Sequence, residues 1–275
     1  MEECDDGTAP MEVKIVAIGF RSSGRQLFSG GEKAPEDERL TGLLQTPQEW
    51  SVRNRVLGDS IAALITQYTP RDAHRALDVG CKHGDLTDVW AQRTGMRWSG
   101  VDPIIKGSTR SAGGTELLAG SASAIPFPDN EFDCIVFANV YEHIPPRERI
   151  ASLVEMKRVL RPGGVIVGQL PNPYFPIESH SRLPFMGWLP VRIQKAYWRF
   201  APVPWEHDFY VVGVRHLKRR AQSVGLDPVL IQNFSYPPEA IPERVRWAAK
   251  LLAGPMRLVP WAWQFILKKP ESIPR

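Results

Sequence analysis

The sequence predicts an α/β fold: a doubly wound, mostly parallel sheet of the seven-stranded type, with an inserted lid and a helical C-terminal addition. Three observations carry this. Short, continuously apolar runs alternate with helix-period segments between about residues 75 and 170, the pattern of strands covered on both faces by crossover helices. The first of these runs leads directly into a glycine turn, Gly80-Cys81-Lys82-His83-Gly84, and then into a helix. Finally, Arg161-Pro162-Gly163-Gly164 stops a helix just before the apolar run Val165 to Leu170.

Taken in order, residues 1–45 read as an N-terminal extension, with a β-rich run at Met11 to Phe20 and a polar loop over 21–39. Thr46-Pro47-Gln48-Glu49 is a capping box with Pro at the first helical position, so a helix starts there and runs to about Tyr68 on Val52, Val56, Ile61, Leu64 and Ile65. Strands follow at 75–80, 97–102, weakly at 117–119, and strongly at 132–138, with helices at 85–94 and 147–160. The Pro- and Trp-rich stretch 171–209 is too long for a plain connection and reads as a lid or as an auxiliary helix with its own small core. A helix at 214–224 and a strand at 228–234 complete a domain spanning 46–234. Residues 235–275 read as a basic amphipathic helical segment, with one or two helices over 243–269 broken near Gly254-Pro255 and Pro260. No final antiparallel strand is legible after Phe234, which leaves Met11 to Phe20 as the candidate for an edge.

With 43% hydrophobic and 23% charged residues, composition excludes wholesale disorder. Three cysteines, Cys4, Cys81 and Cys134, exclude a disulfide framework and show no zinc spacing. The acidic first residues lack the apolar core of a signal peptide, and no apolar run reaches membrane-span length, so a cytoplasmic location is expected. Charge is divided: residues 1–180 hold 19 Lys+Arg against 24 Asp+Glu, residues 181–275 hold 15 against 6. The basic part mixes cations with Trp, which suits a membrane interface, so peripheral membrane contact through 182–200 and 243–269 is one reading. Packing onto the core and nucleic-acid binding are the others, and nucleic acid is the least favoured.

The glycine turn carries the chemistry. After a buried strand, Gly80 and Gly84 let the backbone approach a ligand closely, and Asp102 ends the next strand, where a carboxylate can accept hydrogen bonds from two ribose hydroxyls. A dinucleotide fingerprint requires Gly where Lys82 stands. Asp78, two residues before the turn, would repel a pyrophosphate but could orient the cationic amino group of an amino-acid moiety. That favours S-adenosylmethionine over a nicotinamide cofactor.

In order, the chain shows Asp78-x-Gly80-x-x-x-Gly84, Gly100-Val101-Asp102-Pro103, Ser123-Ala124-Ile125-Pro126-Phe127 through Asp133, Glu142-His143-Ile144 and Leu160-Arg161-Pro162-Gly163-Gly164. This series resembles the class I S-adenosylmethionine-dependent methyltransferases of Rossmann-like fold, especially the group of ubiquinone and menaquinone biosynthesis methyltransferases. The resemblance spans about 74–170 and continues more weakly to 234. It implies that Asp78, Gly80 and Gly84 hold the methionine part, with Cys81 in the same turn counted among the cofactor-binding residues, although Cys81 and Cys134 also read as small core side chains. Asp102 would take the ribose hydroxyls and Pro103 would lie against the adenine. Ser121 and Ala122 would lie near the adenine amino group, and Asn139 and Val140 beneath the sulfonium. Lys82 and Ser121 depart from the family's usual Gly and Asp.

A hydroxyl acceptor needs a group that removes its proton, and imidazole suits this. His143 follows the fourth strand, while His180 and His207 lie in the insertion; all three are candidate catalytic residues. Glu178, His180, Glu206, His207 and Asp208 are metal-capable types, but nothing in their spacing requires an ion and none is expected. The expected function is methyl transfer to an oxygen of a small-molecule or lipid-linked acceptor. The alternatives are an inactive cofactor-binding partner protein and an RNA or protein methyltransferase. Asn139-Val140-Tyr141-Glu142 after the fourth strand disfavours amino-group methylation of bases.

Overall fold

The computed structural model describes residues 47–180, 183–201, 209–240 and 259–271. The extension 1–45 with its Met11 to Phe20 run, Arg182, Glu206, His207 and Asp208, and the stretch 243–258 lie outside the described residues.

The α/β alternation continues as the sequence predicts: α1 (Pro47–Tyr68), β1 (Arg75–Val79), α2 (Asp85–Thr94), β2 (Arg97–Asp102), β3 (Ser108–Arg110), β4 (Glu116–Ala119), β5 (Phe132–Ala138), α3 (Arg149–Val159), β6 (Leu160–Pro171), α4 (Val191–Tyr197), α5 (Val214–Ser223), β7 (Asp227–Phe234) and β8 (Ala262–Lys268). The strands form one sheet in the order β3-β4-β2-β1-β5-β6-β8-β7. The five strands from β4 to β6 are mutually parallel, while β3, β8 and β7 join antiparallel to their neighbours.

Two apolar layers flank the sheet, because each central strand buries both faces. Cys134, Val136, Val165 and Val167 pack with Leu57, Ile61 and Ile65 of α1 and Trp90 of α2. Ile135, Phe137, Ile166 and Leu170 pack with Leu153, Met156 and Val159 of α3 and Leu217 and Ala221 of α5. The parallel direction of β1, β2, β4, β5 and β6 brings their carboxyl ends to one edge.

Two expectations need correction. Residues 262–268, read as part of an amphipathic helix, are strand β8, inserted between β6 and β7 in register Gly168↔Phe265↔Ile231. Phe265, Ile266 and Leu267 are fully buried, so this part of 243–269 faces the core and no membrane. Lys269 is likewise spent inside the fold, its Nζ donating to Leu160 O at 2.7 Å and Lys157 O at 2.9 Å. The final antiparallel strand therefore exists, and the domain does not end at 234. The other departure is β3, a short exposed strand missing from the sequence reading. Asp88 of α2 fastens its hairpin by accepting from Ser111, Gly113 and Thr115.

Of the insertion, Leu183, Met186 and Phe209 are buried in a small core of their own, flanked by Tyr197 and Trp198. No helix among the described residues is long and apolar enough to cross a membrane.

Candidate active site

The turn after β1 is built by its glycines. Gly80 has φ 86° and Gly84, which caps α2, has φ 85°, in the left-handed region that Gly enters without cost. The N–H groups of Gly80 and Cys81 donate to Val101 O at 2.8 and 3.3 Å, anchoring the turn to β2. Val140 packs directly on the bare Gly80 backbone. Lys82, the departure from the family pattern, is itself left-handed, with φ 49°. Its side chain is exposed and lines a cleft of about 390 Å³ with His83, Ile104, Lys106 and Ser111, a set that contains neither Asp78 nor Asn139.

Both predicted acids stand at this edge. Asp102 is buried and accepts from the N–H of Lys82 on Oδ2 at 2.9 Å and of Ile104 on Oδ1 at 3.0 Å. The turn and the end of β2 thus share one carboxylate. Asp78 is buried beneath the turn and accepts from the Thr87 hydroxyl at 2.5 Å on Oδ2, which leaves Oδ1 as an acceptor. Burial pushes its carboxyl up to about 7; the Thr87 hydrogen bond opposes this and the nearby charge of Asp102 adds to it. Asp78 pairs with Gly100, two residues before Asp102, so the two acids stand near the same end of adjacent strands.

Pro103 follows Asp102 and is exposed. Ser121 and Ala124 exchange backbone hydrogen bonds in a turn after β4, with Ala122 buried inside it, and the Ser121 hydroxyl meets Ser123 Oγ at 3.2 Å. Asn139, left-handed at φ 57°, donates its N–H to Gln169 O at 2.8 Å and accepts from Gln169 Nε2 at 3.1 Å. Gln169 in turn meets Gln264 of β8, and Gln264 accepts from Gln232 of β7 at 3.0 Å. This amide row, buried at Gln169 and Gln264, escaped sequence reasoning because it depends on the register of β8; Thr87 was also missed. Cys81 is buried against Gly100, and burial pushes its thiol far above the usual range, so it packs as a core residue.

His143 and His180 meet beyond the neighbouring ends of β5 and β6. His143 ends the single 3-10 turn Tyr141–His143, and its ring meets that of His180 edge-on at 5.0 Å. His180 stacks on Phe209 at 4.5 Å, and its Nδ1 lies 2.7 Å from Glu178 Oε1. Glu142 points inward from the same turn and is 3% exposed, yet neither of its carboxylate oxygens accepts a hydrogen bond. Burial raises its pKa; the charges of His143 and His180 oppose this. Sequence reasoning named His143 and His180 as catalytic candidates and Glu178 only as a metal-capable type, and gave Glu142 no role at this site.

These features fit the S-adenosylmethionine that the resemblance implies. Bare backbone at Gly80 and an open carboxylate oxygen on Asp78 match the amino-acid part of the cofactor, and the pinned carboxylate at Asp102 matches its ribose. When bound, the cofactor supplies an activated methyl group.

Comparison with known proteins agrees. The family described as "Methyltransferase domain" matches residues 77–168, from β1 through most of β6. Demethylmenaquinone methyltransferase of Staphylococcus aureus (strain JH9) is 26% identical over 216 residues, covering 72% of this chain and 83% of that protein. A SAM dependent methyltransferase from Archaeoglobus fulgidus shares the fold, with a TM-score of 0.51 at 17% identity over 78% of this chain and 94% of the other. So does Haemonchus contortus phosphoethanolamine N-methyltransferase 2, solved in complex with S-adenosyl-L-methionine, with a TM-score of 0.52 at 15% identity over 78% of this chain and 53% of the other. Strand order, glycine turn, paired acids and the matched span all support a class I S-adenosylmethionine-dependent methyltransferase.

Proposed function

We propose that the chain transfers the methyl group of S-adenosylmethionine to an oxygen of a small ring-bearing or lipid-linked acceptor. One observation carries this reading: the Glu178–His180 pair beside His143, next to the Asn139–Val140 turn. Methyl transfer from a sulfonium requires mainly that the acceptor be held in line and kept dry. A hydroxyl acceptor must in addition lose a proton, and an amine already carrying a lone pair need not. An ionised carboxylate only accepts, so His180 donates from Nδ1 and keeps the Nε2 lone pair. His180 is the residue we assign to removal of the acceptor's proton, with Glu178 holding its tautomer and orientation.

The ring-bearing class is supported by Phe209, which stacks on His180 and is itself met by Trp198, and by the name of the S. aureus relative, demethylmenaquinone methyltransferase. Delivery from a membrane surface is supported by Phe185, Trp188, Val191, Ile193 and Phe200, all at least half exposed among Arg192, Lys195 and Arg199.

The test is a radiolabelled-methyl screen of quinols, phenols and lipid extracts, with products identified by mass spectrometry. An O-methyl product is expected, formed about 10²–10⁴-fold more slowly by His180→Ala. Products methylated only on nitrogen or carbon, or an unchanged rate in that variant, refute the reading. Failure of the chain to sediment with anionic vesicles at low salt refutes the membrane part.

A further inference from the structure

Glu142 presents an unresolved charge problem. It is 3% exposed, and both of its carboxylate oxygens lack a hydrogen-bond partner. A buried carboxylate in that state is among the costliest arrangements in a protein interior, and native folds pair it or give it to a cation. His180 Nε2 lies 3.8 Å from its Oε1, too far for a hydrogen bond.

We propose that Glu142, His143 and His180 bind one divalent transition-metal ion of the zinc class. One ligand atom from each lies within 4.8 Å of the other two. An ion about 2.1 Å from each in tetrahedral geometry would hold them about 3.4 Å apart, so the separations need shorten by no more than about 1.4 Å. The surroundings are those of a ligand set. Glu178 receives His180 Nδ1–H at 2.7 Å and so aims the Nε2 lone pair away from itself, the outer carboxylate commonly found behind a metal-binding imidazole. Phe209 fixes the same ring by stacking, and the Tyr210 N–H donated to Glu142 O at 2.8 Å ties down the turn. Two imidazoles and one carboxylate favour a zinc-class ion over calcium or magnesium, which prefer all-oxygen sites. Three protein ligands leave a fourth position open.

This proposal deepens the acceptor reading and rests on it for its purpose. With an ion bound, His180 would serve as a ligand instead of taking the proton itself; the ion would lower the pKa of an acceptor hydroxyl at the open position, and the proton would pass to solvent.

The test is calorimetry of the chelator-stripped full chain with Zn²⁺ alone, together with thermal melts. One ion per chain is expected, bound at least about 100-fold more weakly by Glu142→Gln and His180→Ala, and about 10–100-fold more weakly by Glu178→Gln. Zn²⁺ should raise the melting temperature of the parent but not of Glu142→Gln, and without zinc that variant should melt above the stripped parent because its buried charge is gone. Retained S-adenosylmethionine binding shows that each variant is folded. No zinc on the stripped parent, or equal affinity in Glu142→Gln and His180→Ala, overturns the site. The two readings separate cleanly: zinc held by these residues with only N- or C-methyl products overturns the acceptor assignment alone, and O-methylation by a chain that binds no metal overturns the metal alone.

Discussion

Replacing Gly80 by Ala tests the geometry on which cofactor binding depends. Two separate costs arise at this position. At φ 86° a side chain meets the left-handed penalty, about 1–2 kcal/mol. The new Cβ would also lie 3.2 Å from Val140 Cγ1 and nearer still to Cγ2, and overpacking of that kind costs about 1–3 kcal/mol. The expected loss is therefore about 2–5 kcal/mol, and a domain of this size loses roughly 2–4 °C of melting temperature per kcal/mol. Differential scanning calorimetry of Gly80→Ala, Val140→Ala and the double variant separates the costs. Trimming Val140 removes the overlap but not the backbone strain, so the double variant should recover about 1–3 kcal/mol relative to additivity. A Gly80→Ala protein that melts with the parent would refute the turn geometry. A strictly additive cycle would refute the contact with Val140.

Three further outcomes are expected. Asp102→Asn puts an amide where the N–H groups of Lys82 and Ile104 need a carboxylate, so S-adenosylmethionine affinity by calorimetry should fall about 10–100-fold, the worth of charge-assisted hydrogen bonds. Asp78, with its folded pKa near 7, stays protonated in the free chain at lower pH, so affinity for the cationic amino group should rise as pH climbs towards 7 and level off above it; Asp78→Asn should remove this dependence. The same shift means the native state binds more protons than the unfolded chain between about 3.8 and 7, so this group's contribution to stability falls across that window as pH rises. Phe265→Ala should cost about 3–5 kcal/mol in denaturant unfolding, as a core strand residue does, whereas a solvent-facing helix position would cost a small fraction of that.

Much of the fold was legible because β1, β2, β5 and β6 are short apolar runs set off by glycine turns and helix stops. Asp78, Gly80, Gly84 and Asp102 were legible for the same reason: each sits at the end of a strand whose limits the sequence marks. The strand β8 was not. Gln264, Phe265, Ile266 and Leu267 are buried in succession, and a strand covered on both faces shows no alternation to separate it from a helix. Lys268 at its end and Lys269 after it strengthened the wrong reading by resembling a basic amphipathic end. The Glu142 carboxylate was hidden differently. In Glu142-His143 either neighbour could face inward, and only the single turn of 3-10 helix after β5 decides that the acid does.

The position of β8 bears on how the chain reaches its native state. The edge strand β7 precedes it in the sequence but touches the rest of the sheet only through it, with β6 on its far side. During synthesis β7 must wait, its hydrogen-bonding groups unsatisfied, until residues 262–268 leave the ribosome and slot in beside it. The amide row that steadies Asn139 is completed in the same event, so cofactor competence and sheet closure should be acquired together, late, and in a single step.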